Sequence, residues 1–324
     1  MRSLSELEAA SALVHSVIPP TPQISWPLLS ARAGAEVWVK HENHTAIGAF
    51  KLRGGIVYME ALKRREPGIA GVVTATRGNH GQSVAFAAKR AGLAAVVVVP
   101  HGNSVEKNRA MRALGAELVE HGHDFQAAYE HAVGLAETRG LHLLRSYHPD
   151  LVLGVASYSL EFLRAAPELD TVYVPIGLGS GISGMLAVRD ALGLKTKVVG
   201  VVAEAAPAYA LSFAAGKPVS TNSADTIADG VACRVPDAAA VAVINKGAER
   251  IVRVSEVEIM AAMRHYFTDT HNLAEGAGAV PLAALLKERE KVAGKRVGLV
   301  LSGGNVDRAV FAPIIARGEE GEDA

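Results

Sequence analysis

Residues 174–184 read Val174-Pro-Ile-Gly-Leu-Gly-Ser-Gly-Ile-Ser-Gly184, the apolar end of a strand, a loop of alternating glycines and the start of a helix. Without a Cβ, Gly177, Gly179 and Gly181 permit positive φ and let successive backbone N–H groups converge on one anion. The helix that follows adds its own free N-terminal amides. Leu178 and Ser180 complete a cradle suited to a phosphate. It is not a Walker loop, because no Gly-Lys-Ser/Thr follows. A dinucleotide fingerprint would place its third glycine at Ile182, so that spacing is imperfect. On this stretch alone a nicotinamide reading stays open, since Glu204 ends the next candidate strand near where a ribose-binding acid is sought.

The same strand, loop, helix rhythm runs through most of the 324 residues. Candidate strands occupy 37–41, 71–75, 95–99, 116–119, 141–145, 171–176, 198–203, 251–254 and 297–301. Several are apolar throughout, as parallel strands covered on both faces are. Amphipathic helices are expected at 52–65, 81–91, 104–114, 125–138, 152–165, 182–193, 256–267 and 276–288. The alternation predicts an α/β fold with open twisted sheets, ligands lying at the carboxyl ends of strands. The exceptions are a proline-bearing lead-in at Pro19, Pro20 and Pro22, an irregular stretch from about 216 to 236, and an acidic tail, 318–324, expected to fray.

Composition excludes several classes. Lys+Arg and Asp+Glu both number 33, so no net field favours nucleic acid or an anionic membrane surface. The single cysteine, Cys233, can form neither an intrachain disulfide nor a zinc knuckle. No apolar run approaches the roughly 20 residues that span a bilayer, and no signal peptide is apparent. A cytoplasmic location is the expectation. Glycine is in excess, 32 residues or about one in ten against a usual ~7%.

Three further glycine-centred segments stand at strand ends. Residues 40–55 contain Gly48-Ala-Phe-Lys-Leu-Arg-Gly54, which sets Lys51 beside Phe50 where a helix begins. In an apolar setting a lysine loses its proton more readily and becomes a nucleophile toward carbonyls. Thr74-Ala-Thr-Arg-Gly-Asn-His-Gly-Gln82 clusters side-chain donors at a helix N-terminus, more of them than a plain turn requires. Leu299-Val-Leu-Ser-Gly-Gly-Asn305 closes a strand, is expected to open a helix, and offers the hydroxyl of Ser302.

In this order, over about residues 17–315, the four segments resemble those of fold type II pyridoxal-phosphate enzymes, and within them the serine/threonine dehydratase branch. The resemblance implies a tryptophan synthase β-like architecture of two open twisted sheets, with a smaller mobile domain, 54–149, inserted in a larger cofactor-binding one, 1–53 and 150–324. It implies that Lys51 forms the Schiff base with pyridoxal 5'-phosphate and that Phe50 packs against the cofactor. Asn79 would hold the ring's phenolic oxygen. Gly177, Leu178, Gly179, Ser180 and Gly181 would cradle the phosphate, and Ser302 would face the pyridine nitrogen. Thr76, Arg77, Gly78, Asn79 and His80 would bind the substrate carboxylate. A neutral serine at the ring nitrogen leaves it largely unprotonated, which favours elimination over transamination. The implied reaction takes a β-hydroxy-α-amino acid, threonine or serine by default, to a 2-oxo acid and ammonia, with Lys51 as the base at Cα.

Departures from the family pattern qualify the substrate. Ala46 and Ala49 stand where many relatives have proline and serine. Arg77 replaces the serine that racemases of this branch use as a second acid/base, and a guanidinium does not lose its proton. Dehydration without efficient racemisation is therefore expected. Arg77 instead suits a carboxylate, which with Val155 motivates 3-hydroxyaspartate, or another substituted serine such as phenylserine, as the alternative substrate. Gly154-Val-Ala-Ser157 replaces a usual Gly-Gln-Gly-Thr and is expected to alter pocket polarity. Val202 and Ala208 occupy the positions where some relatives ligate a cation, so no metal is expected there. His121-Gly-His123 lacks a third ligand. Glu275 in Glu275-Gly-Ala-Gly-Ala279 would orient Ser302 or a water. The chain stops soon after the fourth segment, so neither the C-terminal regulatory domain of biosynthetic relatives nor feedback control by an amino acid is expected. A homodimer is expected from the resemblance. Two readings from other classes remain, a nicotinamide-dependent oxidoreductase and a non-catalytic binder of the vitamer.

Overall fold

The computed structural model describes residues 2–317; the acidic tail lies outside them. Ten strands form two sheets. They are β1 (Gln23–Ser25), β2 (Glu36–His41), β3 (Gly71–Ala75), β4 (Ala94–Val99), β5 (Glu117–Glu120), β6 (His142–Leu143), β7 (Thr171–Pro175), β8 (Lys197–Ala203), β9 (Arg250–Val254) and β10 (Arg296–Leu301). The larger sheet has the order β1-β2-β10-β7-β8-β9 and the smaller β5-β4-β3-β6. All pairings are parallel except β1 with β2. β3 and β7 are buried at every residue, as their largely apolar sequences allow once helices cover both faces.

Nine strands match the expected ones, although the segment at 141–145 shrinks to two paired residues. β1 was not legible, because three residues between Pro22 and Trp26 show no period. Helices at Leu4–His15, Pro27–Ala33, Ala208–Ala215, Ala238–Gly247 and Arg308–Ile315 also escaped the periodicity. The first carried a signal: Ser3 and Glu6 form a capping box. One expectation is corrected. Ser302-Gly-Gly-Asn305 opens no helix directly, because the next one begins only at Arg308.

The helix Pro149–Ala165 organises the cleft. It packs between Lys51–Arg65 and Ser180–Ala191, and glycines set both crossings. A Cβ on Gly154 would lie 2.3 Å from the Arg53 carbonyl oxygen, and one on Gly184 would lie 3.1 Å from the Ala156 backbone. This overturns the expectation for Gly154-Val-Ala-Ser157. Val155, Ala156 and Ser157 are buried in these helix contacts, and the Ser157 hydroxyl accepts from Arg53. The segment therefore sets helix spacing rather than pocket polarity.

Candidate active site

Lys51 is the first residue of the helix Lys51–Arg65. The Phe50 N–H donates to the Ser302 carbonyl at 3.0 Å, and Ala49 pairs with Gly303 across an isolated antiparallel bridge. The first and fourth segments are thus stapled together, and Ser302, buried at the end of β10, is brought beside Lys51. The Ser83 hydroxyl donates to the Lys51 carbonyl at 2.7 Å, which ties in the helix Asn79–Ala91. The Lys51 Nζ lies 4.9 Å from the Phe50 ring centroid. Burial pulls its pKa down to about 8, against the opposing pull of Glu275. An amine so placed is partly unprotonated near neutral pH, as a nucleophile or base must be.

The second segment presents Asn79 in a defined orientation. The Asn305 Nδ2 donates to the Ile47 carbonyl at 2.7 Å and to the Asn79 Oδ1 at 2.8 Å. A carbonyl can only accept, so Asn305 is fixed, and Asn305 fixes Asn79 in turn. The Asn79 Nδ2 then donates one hydrogen to Glu275 Oε1 at 2.6 Å and keeps the other free. His80 is buried beside it, its pKa pushed down to about 3 by burial and by Lys51. The imidazole is neutral, and its Nε2 is buried without a hydrogen-bond partner, as is the Gln82 Nε2. Thr76 Oγ1 accepts from the Gly78 N–H at 3.0 Å and shapes the turn.

The glycine loop is held from outside by tyrosines. The Tyr209 hydroxyl donates to the Leu178 carbonyl at 2.9 Å and the Tyr158 hydroxyl to the Gly181 carbonyl at 3.2 Å. Gly179 has φ 93°, a conformation glycine alone adopts without strain. At Gly177 the demand is different: an added Cβ would lie 2.2 Å from the Gly230 carbonyl oxygen. The loop's glycines thus fit the chain against itself. That fit leaves the first-turn amides of the helix Ser180–Ala191 without intrahelical partners.

Arg77 is exposed, and its guanidinium lies 3.9 Å from Asp229. It lines a cavity of about 230 Å³ together with Lys107, Asp229, Glu275, Asn305 and Asp307. Lys107 and Asp229 were missed by sequence reasoning, and no local signal singles either out. Glu204, the acid on which the nicotinamide reading relied, lies half exposed at the surface, 3.5 Å from Lys287. His121 stacks on His131 with centroids 3.9 Å apart. Among the described residues no group of three or more His, Cys, Asp and Glu side chains is arranged to hold a metal. No described helix is long and apolar enough to cross a membrane.

The cleft therefore combines an amine of depressed pKa, free amides at a helix start, an oriented amide with a spare N–H, a buried hydroxyl and an orphaned imidazole nitrogen. That donor set fits a phosphorylated carbonyl compound. The chain belongs to the pyridoxal-phosphate dependent enzyme family, whose model matches residues 14–303. It is similar to the L-threonine ammonia-lyase of Thermotoga maritima, 33% identical over 322 residues, 98% of this chain and 79% of that one. It is also similar to the L-threo-3-hydroxyaspartate ammonia-lyase of Saccharomyces cerevisiae, 31% identical over 96% of each. The solved structure of maize serine racemase superposes with a TM-score of 0.90 at 28% identity, covering 96% of both chains. Within its family the chain is a serine/threonine dehydratase-type enzyme, a pyridoxal-phosphate dependent ammonia-lyase of hydroxy amino acids.

Proposed function

We propose that the enzyme dehydrates threonine or serine, releasing a 2-oxo acid and ammonia. The observation that carries this choice is the charge lining the cavity beside Arg77. Asp229, Glu275 and Asp307 set three carboxylates there against Arg77 and Lys107, an arrangement that leaves no spare cation for a second substrate carboxylate once Arg77 receives the first. A small neutral side chain suits it better. The 3-hydroxyaspartate reading draws support from the loose tie of Arg77 to Asp229 at 3.9 Å and from the yeast relative's activity. Comparing kcat/KM for threonine, serine, 3-hydroxyaspartate and phenylserine decides between them. A clear preference for 3-hydroxyaspartate that Arg77→Ala abolishes would overturn our assignment.

Pyridoxal phosphate supplies an electron sink conjugated to the substrate Cα. In our reading Lys51 would hold it covalently, and the Lys51 amine, its pKa lowered to about 8 by burial, would serve as the base toward the substrate Cα proton. Phe50 would pack against the ring, and the spare N–H of Asn79 would meet the phenolic oxygen. Ser302 would give the ring nitrogen a neutral partner. The amides from Gly177 to Gly181 would grip the phosphate, with the Ser180 hydroxyl beside them. Thr76, Arg77, Gly78, Asn79 and the neutral His80 receive the substrate carboxylate. Arg77 offers no labile proton on the opposite face, so racemisation is slow; chiral chromatography of residual serine checks this.

We further propose that residues 54–149 move as a smaller unit against 1–53 and 150–324, and that the enzyme is a homodimer. Light scattering of the holoenzyme tests the second point. Hydrogen exchange across Ser104–Lys107 with and without substrate tests the first.

A further inference from the structure

Lys107 is buried at 7% exposure on the helix Val105–Ala113. Its ammonium lies 3.1 Å from Asp229 Oδ2 and 3.8 Å from Glu275 Oε2. Fully burying a lysine is costly unless it is paired, yet nothing in the reaction as read above uses this one. We propose that Lys107 is a positioning residue that keeps Glu275 an acceptor-only carboxylate, and thereby holds the Asn79 amide firmly in place toward the cofactor ring. The inference rests on the reading that Asn79 donates to the ring oxygen.

While Glu275 is ionised it can only accept, so it holds the Asn79 Nδ2 firmly while Asn79 Oδ1 accepts from Asn305. A protonated Glu275 is a weaker acceptor. The Asn79 amide, its Oδ1 still held by Asn305, is then less firmly aimed at the ring oxygen. Three charged groups bear on Glu275. Burial lifts its pKa above the ordinary carboxylate value and Asp229 adds to the rise, while Lys107, the Asn79 hydrogen bond and, more weakly, Lys51 oppose it. Lys107 is in turn faced by Asp229, Glu275 and Asp307. Removing its charge leaves Glu275 buried with only the weaker pull of Lys51, and leaves Asp229 with Arg77 alone at 3.9 Å, so the protonation of Glu275 moves toward neutral pH.

The test uses the holoenzyme of wild type, Lys107→Met, Lys107→Arg and the double variant Lys107→Met/Glu275→Gln. Each is followed by kcat/KM and by the visible absorbance of bound pyridoxal phosphate from about pH 6 to about pH 9. Lys107→Met is expected to lose roughly tenfold in kcat/KM at the acid end relative to the alkaline end, with the absorbance band shifting at the same midpoint. Lys107→Arg keeps the wild-type shape of both profiles, even at lower kcat. The double variant shows no new acid limb, since glutamine cannot protonate. A uniform loss at every pH in Lys107→Met with an unshifted band would mean simple destabilisation and would overturn the proposal. So would an Arg variant that folds, by its Tm, yet behaves like Met. If Asn79→Ala leaves the absorbance band unchanged, the reading of Asn79 itself has failed, and with it the inference, whatever Lys107 does.

Discussion

At the residue scale the chemistry centres on one amine whose environment is unlike that of its neighbours. Lys51→Ala is expected to lower kcat/KM by at least about a thousandfold and to abolish the borohydride-fixed adduct, read by peptide mapping. In cofactor-free protein the loading rate should climb with pH through a midpoint near 8, where Lys51 is half deprotonated; a midpoint only near the ordinary lysine value would mean that Lys51 is solvated. Two residues along, Arg53 has a different task. It is fully buried, donating to Glu42 at 2.7 Å, to Glu161 at 2.5 Å and to Ser157 at 3.0 Å, while Lys40 donates to Glu161 at 2.5 Å. Arg53→Met leaves those carboxylates short of a cation, which costs about 3–5 kcal/mol; a thermal melt should show it. Lys51 was legible in sequence because its motif is local. The network around Arg53 was not, since Glu161 is 108 residues away.

At the element scale the glycine excess divides by cause. Gly154→Ala pushes a Cβ to 2.3 Å from the Arg53 carbonyl oxygen, a backbone atom that cannot rotate aside. It should cost about 1–3 kcal/mol and, because Arg53 shares a helical turn with Lys51, slow the reaction in the molecules that fold. Gly134, in the exposed part of the helix Phe125–Arg139, has nothing within 4 Å of its would-be Cβ. Gly134→Ala should therefore stabilise by about 0.5–1 kcal/mol without touching kcat, by urea unfolding and steady-state assay. Both glycines sit in helical sequence, and periodicity alone treats them alike. Sequence reasoning assigned the junction glycines to close approach of a ligand; at Gly54, Gly177 and Gly184 they admit the protein's own backbone.

At the scale of the whole molecule, buried ionisable groups set the response to acid. Burial raises the Glu161 carboxyl, but Arg53 and Lys40 outweigh it and hold the pKa at about 2. Burial likewise works on Glu288, which Arg250 and Lys291 hold at about 2. Burial also lowers His41 to about 4 and His80 to about 3. All four pKa values lie below those of the unfolded chain, so the unfolded state binds protons first as pH falls. Their stabilisation is complete above about pH 6.5 and is lost through the histidine range and then down toward pH 2, with Glu161 alone contributing up to about 3 kcal/mol. Urea midpoints measured from pH 7 to pH 3 should decline accordingly, and Glu161→Gln should flatten the lower part of that slope. The contacts that bridge the two sheets' units, Ser104 to Asp307 and Lys107 to Asp229, belong to this scale too.

What the sequence determined by itself was the order of strand, glycine loop and helix, and with it the fold class, the cofactor and the proposal of Lys51 as the reactive amine. Apolar runs, caps and turn residues act over a few positions, so they can be read a few positions at a time. The tertiary structure alone decided that Glu275 and Asn305 orient Asn79, that Lys107 lies against Asp229, and that Gly154 serves a helix crossing. Those contacts join residues far apart in the chain. They exist only once the parallel sheets have fixed which strand ends stand side by side, and no local propensity encodes that juxtaposition.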